Sequence, residues 1–324
     1  MRKIINGKLD EFVDLLDTDG NVVNASDGGI IYADGKYHLY GQALRDLPEG
    51  YKGTGGQVTE IGVVMYESED LVTWRYEGVV LSCGDGELRA PMRFERPKII
   101  YNEKTGKYVL WCHYVEYPGD HGFEIGKGEI GVAVSDSVSG PYTWLGHFRP
   151  IDDDGVVRDC TLYKDVDGSA YLIFDRDISL LEKANRCLYI VKLTDDYLSC
   201  TDEYKRIDPA YRREAAAVLY RDGYYYMITS GMSGWSFNRA NYYRARSLMG
   251  EWEDMGDPCV GDDLGTTFNS QTTAILKVES SDTFIHISKR HNTKSFLHCS
   301  YIWLPIRFGD DGTLSLEYLE QWSL

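Results

Sequence analysis

A chain of 324 residues with 34 Lys and Arg against 51 Asp and Glu carries a formal net charge of −17. Such a surface repels phosphate backbones, and nucleic-acid affinity rests on cations that release counterions, so nucleic acid, acidic membranes and polyanionic substrates are disfavoured partners. With 25 Tyr, 10 Phe, 7 Trp and 33 Gly, the composition favours half-buried strands joined by tight reversals, an all-β chain with many turns.

From the N-terminus, Met1 to Asp10 begins basic but reaches Gly7, Lys8 and Asp10 before an apolar core of export-signal length forms. No apolar run approaches the roughly 18 residues of a membrane span. The seven Cys (83, 112, 160, 187, 200, 259 and 299) are odd in number, scattered and without a Cys-x-x-Cys pair. They read as free, mostly buried thiols in a cytoplasmic protein, with neither a disulfide framework nor a zinc site.

Five segments then share one pattern, an apolar strand, a polar turn and a returning aromatic strand. They run over residues 30–40, 99–111, 161–174, 218–229 and 275–287. Anchored on Tyr32, Tyr101, Tyr163, Tyr220 and Val278, they recur every 57 to 69 residues. Asp-Gly or Thr-Gly at the tips of the first four supplies the left-handed residue that short hairpin loops require. Further strand pairs lie between the hairpins, among them 61–66 with 74–80, 130–134 with 142–145, and 242–246 with 252–255. About four strands per repeat, with no substantial amphipathic helix between them, predict a five-bladed β-propeller spanning residues 1–324 as a single domain. Two β-sandwiches are the alternative architecture.

A propeller turns the head of each repeat's first strand towards a central channel. Ahead of the five hairpins stand Asp27, Glu95, Asp159, Glu214 and the amide Gln271, each four to seven residues before its anchor. Isolated carboxylates are ordinarily surface groups, but recurrence at one position of successive repeats points to a cluster. Carboxylates crowded together cannot all ionise easily, which separates an acid from a base. Glycoside hydrolysis needs that pair, an acid for the leaving oxygen and a carboxylate that activates water or attacks carbon. Trp235 is either a platform for a sugar ring or core packing. The seven His show no metal-ligand spacing; His286 is the one that would face the channel, more simply as a structural residue. The chemistry calls for no metal and no cofactor.

At these residues the chain resembles glycoside hydrolase family 43, most closely its exo-β-1,3-galactanase-like branch. The resembling stretches include Glu95-Arg-Pro-Lys98 continuing to Tyr108, Arg158-Asp-Cys-Thr-Leu-Tyr163, Arg213-Glu-Ala-Ala-Ala217, Ser230 to Trp235, Gly256 to Val260, and Ser270-Gln271. The resemblance implies an inverting mechanism with Glu214 as general acid, Asp159 orienting it and raising its pKa, and Asp27 where the wider family has its base. It also implies that Glu95 contacts substrate hydroxyls, although an ion pair to Arg96 or Lys98 is its simpler reading. The wider family usually follows the base with Pro, whereas the branch has Gly in place of that Asp and a Gln that holds the water. This chain has Asp27-Gly28-Gly29 and keeps Gln271 as well. On proton affinity Asp27 is the better base, which leaves Gln271 to position water or a sugar hydroxyl.

The expected activity is therefore exo-acting hydrolysis of a neutral oligosaccharide, with β-1,3-linked galactose first. α-L-Arabinofuranosidase or β-xylosidase activity and a non-catalytic carbohydrate-binding propeller are the alternatives. The retaining fructan-cleaving and sucrose-cleaving propellers fit less well, since Glu214 is followed by Ala215 and not by Cys. Oligomeric state is not legible.

Overall fold

The computed structural model describes residues 3–46, 58–84, 92–116, 128–151, 155–177, 186–207, 212–234, 236–279 and 281–324. Apart from a 3-10 turn at Phe296–His298, the regular elements among them are all strands. Four antiparallel sheets have four strands each, taken in chain order. The first is Ser26–Ala33, Lys36–Asp46, Val58–Ser68 and Arg75–Ser82, and the second Met92–Asn102, Lys107–Glu116, Glu129–Ser135 and Thr143–Phe148. The third is Val156–Lys164, Ala170–Asp177, Arg186–Leu193 and Cys200–Ile207, and the fourth Arg213–Arg221, Tyr224–Gly231, Asn241–Ala245 and Glu253–Gly256. A fifth has only three, Gln271–Lys277, Phe284–Arg290 and Ser300–Pro305.

The expected five blades are corrected to six. A sixth sheet forms where Leu314–Glu317 pairs in parallel with Cys259–Val260 and antiparallel with Arg307–Phe308. The last repeat thus does not add a fourth strand to its own sheet. Its C-terminal segment folds back onto a stretch that leads into the fifth sheet. Strands of two to four residues carry no alternation long enough to read from sequence, which is why this sheet was not foreseen.

The hairpins form as their turn chemistry dictates. Asp34 and Gly35 have φ of 51° and 80°, and Asp222 and Gly223 have 50° and 82°, the doubly left-handed turn whose twist matches the flanking strands. Beside these turns the tyrosine anchors face tyrosines across the hairpin. Tyr32 pairs with Tyr37, Tyr101 with Tyr108 and Tyr220 with Tyr225, at ring-centroid separations of 4.9, 4.7 and 4.8 Å. Six of the 25 tyrosines are used in this cross-strand pairing.

Apolar residues pack between neighbouring sheets. Met65 and Leu110 lie between the first and second, Trp111 and Leu172 between the second and third, and Ile173 and Met227 between the third and fourth. Ile228, Ile302 and Leu316 tie the fourth to the fifth and sixth, and Leu39, Ile285 and Trp303 tie the fifth back to the first. The innermost strands of the first five sheets adjoin one another in a closed ring. No helix of the described residues is long and apolar enough to cross a membrane.

Candidate active site

Each innermost strand breaks register at its head. In the first four sheets two residues face one across the hairpin: Asp27 and Gly28 opposite Gly41, Arg96 and Pro97 opposite Cys112, Arg158 and Asp159 opposite Asp175, Ala215 and Ala216 opposite Thr229. The fifth strand shifts between Thr272 and Ala274. A bulge re-aims side chains and interrupts the ladder. Here the same bulge recurs around the axis and turns polar residues inward from otherwise apolar strands. Asp27, Arg96 and Ala215 occupy it with φ of 55°, 50° and 56°, a conformation disfavoured for residues with a side chain and concentrated at functional sites. The unequal spacings in the sequence now have a cause. Asp27 is the first residue of its bulge and Asp159 the second, whereas Glu95 and Glu214 stand just before theirs.

Gly28 is required by proximity, since a Cβ there would lie 1.8 Å from the Tyr40 carbonyl oxygen. At Gly29 a Cβ would meet the Tyr40 hydroxyl at 2.8 Å, and that hydroxyl accepts a hydrogen bond from Ile99 N in the second sheet.

The bulges converge on one cavity of about 160 Å³, lined by Asp27, Gln42, Glu95, Arg96, Asp159, Glu214, Gly234, Gln271 and His291. Five of the expected site residues therefore meet there, together with Arg96. Trp235 lies outside the described residues, although Gly234 beside it reaches the cavity wall.

Asp27 is 6% exposed and surrounded by donors. Gln42 Nε2 donates to its Oδ2 at 3.2 Å, Lys289 Nζ stands 3.7 Å from Oδ2, and His291 Nε2 stands 3.5 Å from Oδ1. Burial pushes its pKa up, but Lys289, His291 and Arg96 outweigh burial and hold the carboxyl well below the usual range. Lys98 supports its backbone, with Nζ donating to the carbonyls of Asp27 at 2.8 Å and Gly28 at 3.0 Å. Burial, reinforced by Arg96, draws Lys98 down to about 7.

Glu95 does not pair with Arg96 or Lys98 as the simpler reading had it. Its partners are Arg93 Nη1 at 3.0 Å and His113 Nδ1 at 3.0 Å. Burial raises its pKa, and Arg93 and His113 overcome that and bring it to about 2. Arg96 instead meets Asp159, with Nε 2.8 Å from Oδ2. Arg96 also donates from Nη2 to Gln271 Oε1 at 2.9 Å and from Nη1 to Thr272 O at 3.1 Å. Gln271 Nε2 donates to Glu214 Oε1 at 3.0 Å and to Ser230 Oγ at 3.3 Å. Gln271 is thus turned towards Glu214.

Gln42, Lys289 and His291 were not singled out from sequence, and Arg96 and Lys98 only as ion-pair partners for Glu95. Their signal was present as charge at the head of apolar strands, in Glu95-Arg-Pro-Lys98 and Lys289-Arg-His291, but partners could not be assigned without the fold. His286 is buried on the strand Phe284–Arg290, where Nε2 lies 3.0 Å from Thr272 Oγ1 and burial lowers its pKa to about 4. It is a neutral structural residue. Among the described residues no group of three or more His, Cys, Asp or Glu is placed to hold a metal ion.

A ring of strands that presents four carboxylates, two amides and a guanidinium to one small cavity is the arrangement of a glycosidase. The chain belongs to the glycosyl hydrolases family 43, whose family model matches residues 22–314. Among solved structures it is similar to a family-43 β-1,3-galactosidase with galactodeoxynojirimycin, at 33% identity over 99% of this chain and 100% of that one, TM-score 0.85. It is similar to an exo-β-1,3-galactanase from Clostridium thermocellum at 30% identity over 98% of this chain and 66% of that one, TM-score 0.81. An exo-β-1,3-galactanase from Phanerochaete chrysosporium with galactose is 26% identical over 100% of this chain and 68% of that one, TM-score 0.81. No curated protein matches in sequence.

Proposed function

We propose that the chain is an inverting, exo-acting hydrolase that releases terminal galactose from neutral β-1,3-linked galactosyl oligosaccharides. The observation that carries this is the meeting of Glu214, Asp159, Asp27 and Glu95 in one cavity, in a chain 33% identical to a β-1,3-galactosidase along the full length of both. The cavity of about 160 Å³ is smaller than the roughly 300–1,000 Å³ of sites for drug-sized ligands. A space of that size suits one terminal sugar ring and not a polymer segment.

In this reading Glu214 gives its proton to the glycosidic oxygen as the C–O bond breaks, and the bonding pair leaves with that oxygen. Water adds to the anomeric carbon from the opposite face and loses a proton to Asp27. Asp27 is held ionised by its cationic neighbours, the state a base requires. Glu95, fixed by Arg93 and His113, offers acceptor oxygens to sugar hydroxyls. Asp159 acts on Glu214 through Arg96, whose charge it balances.

Replacing Glu214→Gln removes the proton and keeps the shape. Turnover of a β-1,3-galactosyl disaccharide should fall by at least about 100-fold, in line with general acid contributions, while calorimetry still detects disaccharide binding. Retained turnover would sink the assignment. Parallel assays on aryl α-arabinofuranosides and β-xylosides decide the sugar.

A further inference from the structure

Gln271 is held between a group that only donates and a carboxyl group that has to lose a proton. Arg96 carries no acceptor, so the amide atom facing its Nη2 at 2.9 Å is the oxygen. The NH2 group then necessarily faces Glu214 Oε1 at 3.0 Å and Ser230 Oγ at 3.3 Å. An NH2 group only donates, so Glu214 Oε1 accepts, and because the carbonyl oxygen of a carboxylic acid is a stronger acceptor than its hydroxyl, this contact favours the proton on the other oxygen. We propose that Arg96 is a positioning residue which, through Gln271, places the transferable proton on Glu214 Oε2. This rests on the reading of Glu214 as the general acid.

The surroundings fit the role. Arg96 is 5% exposed, sits in the bulge at φ 50°, and is fixed from both sides by Thr272 O and Asp159 Oδ2. It spans from the second sheet to the third and the fifth, and through Gln271 reaches the fourth. A bare guanidinium so near Glu214 would favour the ionised acid and waste its proton. The Asp159 carboxylate 2.8 Å away offsets that charge. The cation that orients the acid is thus itself paired with a carboxylate.

Protonation of the leaving oxygen matters in proportion to how poor the leaving group is, which separates a positioning role from a merely structural one. Two variants interrupt the relay at different links. Arg96→Lys keeps the charge but loses the fork, and Gln271→Met leaves the ion pair of Arg96 with Asp159 in place. Both should lower kcat on a β-1,3-galactosyl disaccharide by about 100-fold, with KM little changed. On 2,4-dinitrophenyl β-galactoside, whose leaving group needs no proton, kcat should fall less than about threefold. Equal losses on both substrates in Gln271→Met, with Glu214→Gln sparing the dinitrophenyl substrate, would overturn the role of Arg96 alone. If Glu214→Gln itself fails to discriminate between the two leaving groups, the acid assignment falls and this proposal with it.

Discussion

At the scale of single residues the site is governed by how it treats negative charge. Asp27 is buried and Glu95 half-buried, yet both are held ionised, because each meets cationic or donor side chains that outweigh the cost of leaving water. A carboxylate whose pKa is lowered on folding stabilises the native state above its unfolded pKa, and that contribution is lost as pH falls through the folded value. For Glu95 the window runs from about 4.5 down to about 2. Glu95→Gln, which cannot titrate, should therefore show a shallower fall of denaturant-measured stability between those pH values than the parent protein. An unchanged slope would mean that Arg93 and His113 do not hold Glu95 ionised. The carboxylates themselves were legible in the sequence, because they recur at one place in successive repeats. Their partners were not. Nothing in the order of residues distinguishes Glu95 paired with Arg93 and His113 from Glu95 paired with Arg96, since strand neighbours two apart share a face only until a bulge intervenes.

At the scale of elements, the recurring feature is the bulged head of each inner strand. It interrupts alternation where chemistry is needed and restores it two residues later, so the hairpins looked regular while the site lay just outside them. Gly28 shows how tightly this is built. A methyl group there would strike the Tyr40 carbonyl at 1.8 Å, a backbone atom that cannot rotate aside. Gly28→Ala should cost about 2–3 kcal/mol, at the upper end of ordinary point substitutions, and lower activity by displacing Asp27. A thermal melt within a degree of the parent would show that the strand head is more pliable than the packing indicates. The same scale explains the departure from the wider family noted in the sequence. Gly in place of the usual Pro after Asp27 lets the first strand approach the second closely.

At the scale of the whole molecule, the ring is closed by its ends. Ile4–Ile5 pairs with Gln321–Trp322, and Asn6, 1% exposed, is the fastener. Its amide donates to Trp303 O at 3.0 Å and Leu319 O at 2.8 Å, and its oxygen accepts from Trp303 N at 2.9 Å. Asn6→Ala takes this partner from Trp303 N and Leu319 O, whereas Trp303 O keeps a hydrogen bond from Trp322 Nε1 at 2.8 Å; a buried polar group left unpaired costs about 1–3 kcal/mol. We expect a loss of at least about 2 kcal/mol by denaturant titration. A variant within experimental error of the parent would mean that closure rests on apolar packing around Trp303 alone. The net charge of −17 acts at this scale as well, giving solubility and no attraction for anions, and fits a neutral substrate.

The sequence by itself determined the all-β character, the hairpins and their turns, and which carboxylates belong together, because those depend on local periodicity and on recurrence. The tertiary structure alone decided six blades against the five expected, because the sixth is assembled from short strands distant in the chain. It alone decided that Arg96 answers Asp159 and Gln271, that Gln271 faces Glu214, and that Lys98, Lys289 and His291 surround Asp27. Those pairings join side chains of different sheets across the axis, where distance along the chain carries no information about distance in space.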